Sequence, residues 1–303
     1  MPTTILAAAI NADLDTGSYF DLAARAATSC LEQADIAPEQ VGMLINAGVF
    51  RDQNISEPAV SALIQKRVGI GLEYAPGRVP AFSFDLMNGG TGLLHAIATA
   101  ECFLVSGEVS YALLVAGDTH PSTERHVDGF PYSTSAAAIL LGTSGTAAGF
   151  GGLHTTDIAG PADPTAWVAM GEAGANGRSA MSTRAGAGDL VELAAVAVRD
   201  CLNAEGLDVA DFAEGRAVLL APTWTLAFRA RLAAALGFKP ESVVGVDPSV
   251  DNPYSAAPVH AYVSARDSGA LDAARTVLFL AADDTSAACL AYHQHAFAHA
   301  GSQ

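Results

Sequence analysis

The sequence predicts an α/β protein in which one unit is used twice and stacked as five layers, α-β-α-β-α. Three observations lead there. Helical and strand-like patterns alternate along the chain with short connections, as in folds whose strands are buried. The order of elements in the first half recurs in the second. Two apolar helices built from small residues occupy matching places, which lets them pack back to back at the centre.

In order, the first half reads as helix 20–34, strand 42–47, helix 57–68, strand 80–86, helix 91–106 and strands 110–117 and 135–142. Helix 57–68 carries the amphipathic segment 54-NISEPAVSALIQ-65, and strand 110–117 is the apolar run 110-SYALLVAGD-118. The second half reads as helix 189–204, strand 216–221, helix 225–236, strand 242–247, helix 254–267 and strands 275–281 and 286–293. The expected units are therefore 1–154 and 189–303, joined by a Gly-, Ala-, Ser- and Thr-rich segment 155–188 that covers a site. The repeat is visible at residue level. The stretch 82-FSFDLMNGGTGLLHAIATAECFLVSGEVSYALLVAGD-118 and the stretch 244-VGVDPSVDNPYSAAPVHAYVSARDSGALDAARTVLFLAADD-284 follow one plan. Each runs strand, Asp, small-residue turn, helix, Ser-Gly, and an apolar strand closing on Asp. Helices 91–106 and 254–267 are expected to lie antiparallel and in contact.

Composition narrows the function classes. The 303 residues, half of them apolar, suffice for a large core, and the formal net charge of −17 excludes a nucleic-acid footprint. No apolar run is long enough to span a bilayer, and the N-terminus lacks the basic region of a signal peptide. A cytoplasmic protein without membrane attachment is expected. Cys30, Cys102, Cys201 and Cys289 are widely spaced in apolar segments, so they read as core thiols rather than metal ligands or disulfides.

A strand that turns sharply into a helix lifts one side chain to the positive end of a helix dipole, where an anion or nucleophile is favoured. In 84-FDLMNGGTGLLHAIATAECFLVSG-107 that turn holds Asn88, Gly89, Gly90, Thr91 and Gly92. Thr91 is its one hydroxyl. It reads as helix N-cap, or as a nucleophile if His95 or His260 reaches it as base. His120 and His126 follow a strand end and are acid–base candidates. The tail 293-HQHAFAH-299 shows no second ligand group, so no metal site is expected.

The chain resembles the thiolase superfamily, in particular the β-ketoacyl-acyl-carrier-protein synthase III branch. The resemblance covers nearly the whole chain and is strongest in 38-PEQVGMLINAG-48, 84-FDLMNGGTGLLHAI-97, 106-SGEVSYALLVAGD-118 and 134-TSAAAILLG-142. It implies the duplicated five-layered fold and an acyl group carried on a cysteine at the elbow. It also implies a His and an Asn from the second half that assist condensation. Matched residue by residue, the cysteine falls on Gly90, the His on Thr223 and the Asn on Pro253, or on Asn252 with a one-residue shift. The family's glycine-rich loop falls on 281-AADDTSA-287, which has two acids and no glycine.

Asn88, Gly90, Thr91, Thr223, Asn252 and Pro253 would then line the acyl pocket. No cofactor is implied beyond an acyl group borne by CoA or phosphopantetheine. Arg51, Lys66 and Arg67, with Arg78, form the densest basic region and are candidates to dock an acyl carrier protein. The resemblance also implies a homodimer or a heterodimer with a ketosynthase homologue, and strand 110–117 is expected at the interface.

Three functions are compatible with this reading. One is a non-catalytic subunit paired with a cysteine-bearing homologue. The second is an acyltransferase or thioester hydrolase using the pocket with other residues. The third is an acyl-chain sensor. If only the nucleophile were lost, Gly90→Cys would restore a thiolate able to self-acylate slowly, though not to condense.

Overall fold

Long apolar runs flanked by capped helices set the architecture. The computed structural model describes residues 2–71, 80–143, 145, 148–160, 164–169, 171, 178–184, 190–222, 226–247 and 250–294. The first half contains β1 (Thr3–Asn11), α1 (Tyr19–Ala34), β2 (Met43–Asn46), α2 (Val60–Val68), β3 (Phe82–Asp85), α3 (Gly92–Ser106), β4 (Tyr111–Asp118) and β5 (Ser135–Thr143). β6 (Gly149–Asp157) follows, then the short pair β7 (Ala166–Trp167) and β8 (Ser182–Thr183). The second half continues with α4 (Leu190–Glu205), α5 (Val209–Ala213), β9 (Ala217–Ala221), α6 (Leu226–Leu236), β10 (Val243–Gly245), α7 (Ala257–Asp267), β11 (Thr276–Ala282) and β12 (Ser286–His293).

The first five-stranded sheet has the order β1-β5-β4-β2-β3, and the second, read from its corresponding edge, β6-β12-β11-β9-β10. Both run antiparallel, antiparallel, parallel, parallel. The duplication read from the sequence is thus a duplication of topology. β1 and β6, which complete the match, are strands that the sequence pattern does not predict. β1 (TTILAAAIN) and β6 (GFGGLHTTD) each pair with a strand far along the chain or in the other half of the repeat, a contact that no local pattern announces.

Alternate residues of each strand face opposite layers. Met43, Ile45, Leu114 and Ile139 of the first sheet and Leu220, Phe279 and Leu290 of the second share one core with Leu93 and Ile97 of α3 and Val259 and Ala265 of α7. Leu44, Leu113 and Leu140 pack outward on α1 and α2, while Leu219, Leu278 and Cys289 pack outward on α4 and α6. The layers are therefore α1/α2, sheet, α3/α7, sheet, α4/α6. Both central helices lie between the sheets. α3 meets the second half chiefly through β6, β12 and the 3-10 turn Tyr254–Ala256, rather than along the length of α7.

Three expectations change. β4 is an interior strand between β5 and β2, buried along nearly its whole length, so 110–117 is not an interface edge. Its apolar run reflects burial on both faces by this chain alone. Helix 57–68 starts only at Val60, because Asp85, distant in sequence, accepts the N–H groups of Val60 and Ser61 at 2.8 and 2.7 Å. Cys102 is exposed on α3, whereas Cys30, Cys201 and Cys289 are buried.

Candidate functional site

The first elbow follows β3. Asp85 caps α2 and also accepts from Asn46 Nδ2 at 3.1 Å, and Asn46 Oδ1 accepts the Tyr19 hydroxyl at 2.5 Å. The turn then brings Gly89 to φ +55°, a left-handed value that suits glycine. A Cβ at Gly89 would collide with Asp283 Oδ2. Gly90 is buried, and its N–H donates to Asp283 Oδ2 at 3.0 Å. A Cβ placed on Gly90 would stand 2.7 Å from the carbonyl oxygen of Ala282, closer than real side chains approach backbone. The position where the resemblance puts the nucleophile thus has neither a side chain nor room for one.

Thr91 is fully buried at the N-cap position of α3, yet its side chain makes no capping bond. Its hydroxyl donates to the carbonyl of Asn88 at 2.9 Å and accepts from Asn88 Nδ2 at 3.2 Å. Neither candidate base faces that hydroxyl. His95 Nδ1 lies 3.1 Å from the Thr91 carbonyl, and His260 Nε2 lies 3.3 Å from Ser135 Oγ. Burial pulls His260 down to about 4, so it is neutral at physiological pH.

Asp283 is fixed by its own turn. Its Oδ1 accepts the N–H and hydroxyl of Thr285 and of Ser286, which leaves Oδ2 aimed at Gly90. Asp284 holds the connecting segment through the N–H and hydroxyl of Thr165, at 2.5 and 2.7 Å. The two acids visible in 281-AADDTSA-287 therefore have definite tasks: one occupies the elbow, the other anchors the segment that runs beside it.

The second elbow is held differently. Asn252 Oδ1 accepts the Tyr254 N–H at 3.0 Å, its carbonyl accepts from Ser133 N at 2.8 Å, and Pro253 is buried. Ser255 donates its N–H and hydroxyl to Asp118 Oδ2 at 3.0 and 2.6 Å. Asp118 Oδ1 accepts from Val49 and Phe50 at 3.2 and 2.8 Å. Complete burial pushes the Asp118 carboxyl up to about 6 against those donors. Tyr254, at φ +43°, stacks on Tyr132 with ring centres 4.1 Å apart, and Phe50 stacks on Tyr132 at 5.5 Å. These rings fill the space beside the second elbow. Sequence reasoning missed Phe50, Tyr132, Tyr254 and the donors around Asp118, since no local spacing brings loops after β2, β4 and β10 together.

The remaining candidates disperse. Thr223 and Arg78 lie outside the described residues. Arg51 turns inward, donating to the carbonyls of Ile55 and Val49 and to Met87 Sδ. Arg67 pairs with Asp21 at 3.4 Å and covers the Phe20 ring, and Lys66 is exposed in the last turn of α2. His120 bonds Ser122 Oγ at 2.8 Å, and His126 lines a cleft of about 390 Å³ with Arg125, Phe130 and Asp251. His293 bonds Glu205 at 2.7 Å, and 295–299 lie outside the described residues. Among the described residues no group of three His, Cys, Asp or Glu could hold a metal, and no helix is long and apolar enough to cross a membrane.

Known proteins place the fold. Beta-ketoacyl-[acyl-carrier-protein] synthase III of Desulfitobacterium hafniense is 33% identical over 99 residues, 33% of this chain and 27% of that protein. The same enzyme of Streptococcus thermophilus is 29% identical over 122 residues, 40% of this chain and 33% of that one. The matched stretch therefore spans about a third or less of each relative's length. No protein-family model matches the chain. Among solved structures, OleA of Xanthomonas campestris, with bound lauric acid and lauroyl-CoA, superposes with a TM-score of 0.73 at 16% identity over 97% of this chain and 99% of that one. The 3-oxoacyl-[acyl-carrier-protein] synthase III of Aquifex aeolicus superposes with a TM-score of 0.72 at 16% identity over 96% and 100%. The fold is the duplicated thiolase fold, and the chain's relatives and structural neighbours are synthase III-type condensing enzymes.

Proposed function

We propose that this chain is a non-condensing member of a ketosynthase III-type assembly in polyketide or fatty-acid-type biosynthesis. It keeps the fold and pairs with a cysteine-bearing homologue. The carrying observation is the elbow: the Gly90 N–H is given to Asp283, and the Ala282 carbonyl closes the space beside Gly90. Acyl transfer through an elbow needs a nucleophile and N–H donors free to meet the developing oxyanion. An internal carboxylate already holds that donor.

The alternative, acyl transfer or thioester hydrolysis by Thr91, is less well supported. The Thr91 hydroxyl is committed to Asn88, and His95 addresses a carbonyl instead. In the favoured reading the acyl thioester, on CoA or an acyl carrier protein, is bound and turned over by the partner. The paucity of free cations among Arg51, Lys66 and Arg67 agrees with a carrier that docks on that partner.

The surface available for pairing is β3, the outer strand of its sheet among the described residues, not β4. Co-expression with a cysteine-bearing synthase III homologue from the same genome tests the reading. The pair should co-purify, and adding this chain should raise the homologue's activity or alter its product length. Homologue kinetics indifferent to this chain, together with condensation by the chain alone, would sink it.

A further inference from the structure

The loop after β4 folds beside the end of β1 and the approach to the second elbow, and these walls enclose the cleft of about 390 Å³. That volume lies in the range that accepts small ligands. The walls are tied to one another. Arg125 donates from Nη1 to the Thr134 carbonyl and from Nη2 to the Ala12 carbonyl at 2.8 Å, and Thr134 Oγ1 donates to the Arg125 carbonyl at 3.1 Å. The Ser133 N–H donates to the Asn252 carbonyl at 2.8 Å, which fastens the loop to the second half. A cleft already held in shape loses little further freedom when a ligand enters.

Its charges are unmatched. Arg125 is partly buried, and among the described residues its Nε has no hydrogen-bond partner and no carboxylate pairs with it. Asp13 and Asp15, whose charges reach it, are both held by Arg25, at 3.0 and 2.6 Å. Asp128 and Asp251 line the same cleft and are exposed, and neither makes an ion pair or side-chain hydrogen bond among the described residues. A guanidinium and two carboxylates thus face one space without reaching each other. A purely anionic ligand would meet two like charges there, and a purely cationic one would meet the guanidinium. A ligand that carries both charges satisfies both sets.

The remaining lining adds no charge. Ser133 Oγ lies 3.1 Å from Ser135 Oγ, which lies 3.3 Å from His260 Nε2, and the buried His260 is neutral. Val127, Phe130 and Val250 supply apolar surface, and the Phe130 ring packs edge-on to Tyr132 at 5.7 Å.

We propose that this cleft binds a free amino acid with an apolar or aromatic side chain, its carboxylate on Arg125, its ammonium on Asp128 and Asp251, and its side chain against Phe130. The site is separate from the closed first elbow, and the inference does not depend on the subunit reading.

Isothermal titration calorimetry of the full-length chain with L-phenylalanine, phenethylamine and 3-phenylpropionate tests it, since the three share a ring and carry both charges, the cation alone or the anion alone. Phenylalanine should bind at least about tenfold more tightly than either of the others, the factor expected for one hydrogen bond to a charged group. The double variant Asp128→Asn/Asp251→Asn should weaken phenylalanine and phenethylamine about tenfold and leave 3-phenylpropionate no weaker. Arg125→Gln should weaken phenylalanine and 3-phenylpropionate instead. Arg125 also ties the walls together, so its thermal unfolding is measured alongside; the two exposed aspartates carry the test if that variant does not fold. No binding of phenylalanine at millimolar concentration overturns the inference. So does phenethylamine or 3-phenylpropionate binding as tightly as phenylalanine, or phenylalanine binding that the double aspartate variant leaves unchanged.

Discussion

In the first half β3 is followed by α3 after residues 86–91, and in the second half β10 is followed by α7, which the described residues 250–256 precede. Both strands are the last in their sheet, and both helices enter the central layer. The fourth residue of each helix is a histidine, His95 and His260, yet only His260 is buried. β10 is largely buried, while β3 is half-buried to exposed along its length. The second elbow is sealed from within by Asp118 and the Phe50–Tyr132–Tyr254 stack. The first is stopped at one point by Asp283 and left open along its strand. One topology thus supports two outcomes: the second half is finished by its own chain, and the first half presents an edge.

The largest expected effect is at the seal of the second elbow. Asp118→Ala leaves the N–H groups of Val49, Phe50 and Ser255 without their acceptor in a buried place. A buried donor left unsatisfied costs about 1–3 kcal/mol, and three are left here, a loss readable by urea denaturation. A loss below about 1 kcal/mol, within the range of ordinary surface substitutions, would mean that Asp118 does not hold the halves together.

The buried histidine of the second elbow gives a pH test of similar size. His260 titrates near 4 in the folded chain against 6.5 for the ordinary side chain. As pH falls the unfolded chain takes up its proton first, so stability is full above about 6.5 and is lost between 6.5 and 4. The shift corresponds to about 3 kcal/mol. His260→Leu should flatten that part of the stability profile. A profile unchanged by His260→Leu would mean that the helix after the second elbow does not bury its histidine.

Next comes Gly90→Cys. The new Cβ meets the Ala282 carbonyl, and crowding a packed site costs about 1–3 kcal/mol. The slow self-acylation anticipated from the sequence should not appear, because the side chain has no room and the N–H remains with Asp283. A stable, readily acylated Gly90→Cys protein would show that the first elbow is open. Thr91→Ala has the smallest effect, about 1 kcal/mol for one hydroxyl bond to Asn88. Any enzymatic activity lost in Thr91→Ala at unchanged stability would contradict its structural role.

The repeat was legible in the sequence because Asp85 and Asp247, Ser106-Gly107 and Ser268-Gly269 recur around apolar strands whose burial depends on pattern alone. The resemblance also set its expected cysteine on Gly90, a placement read from the motif alone. The occupant of the elbow was not legible. Asp283 lies 193 positions from Gly90, and the turn that fixes its Oδ1 on Thr285 and Ser286 is what leaves Oδ2 facing the elbow. β1 and β6 escaped for a related reason, since their strand character comes from a partner far along the chain. The apolar run of β4 resembled an interface because burial by the same chain and burial by another leave one pattern.

The most direct test of the closed first elbow is the intact mass of the wild-type chain after incubation with acyl-CoA and malonyl-carrier substrates, with the medium assayed for β-ketoacyl product. The account predicts an unchanged mass and no product from this chain alone. An acyl adduct mapping to Thr91, or product formed without a partner, would contradict it.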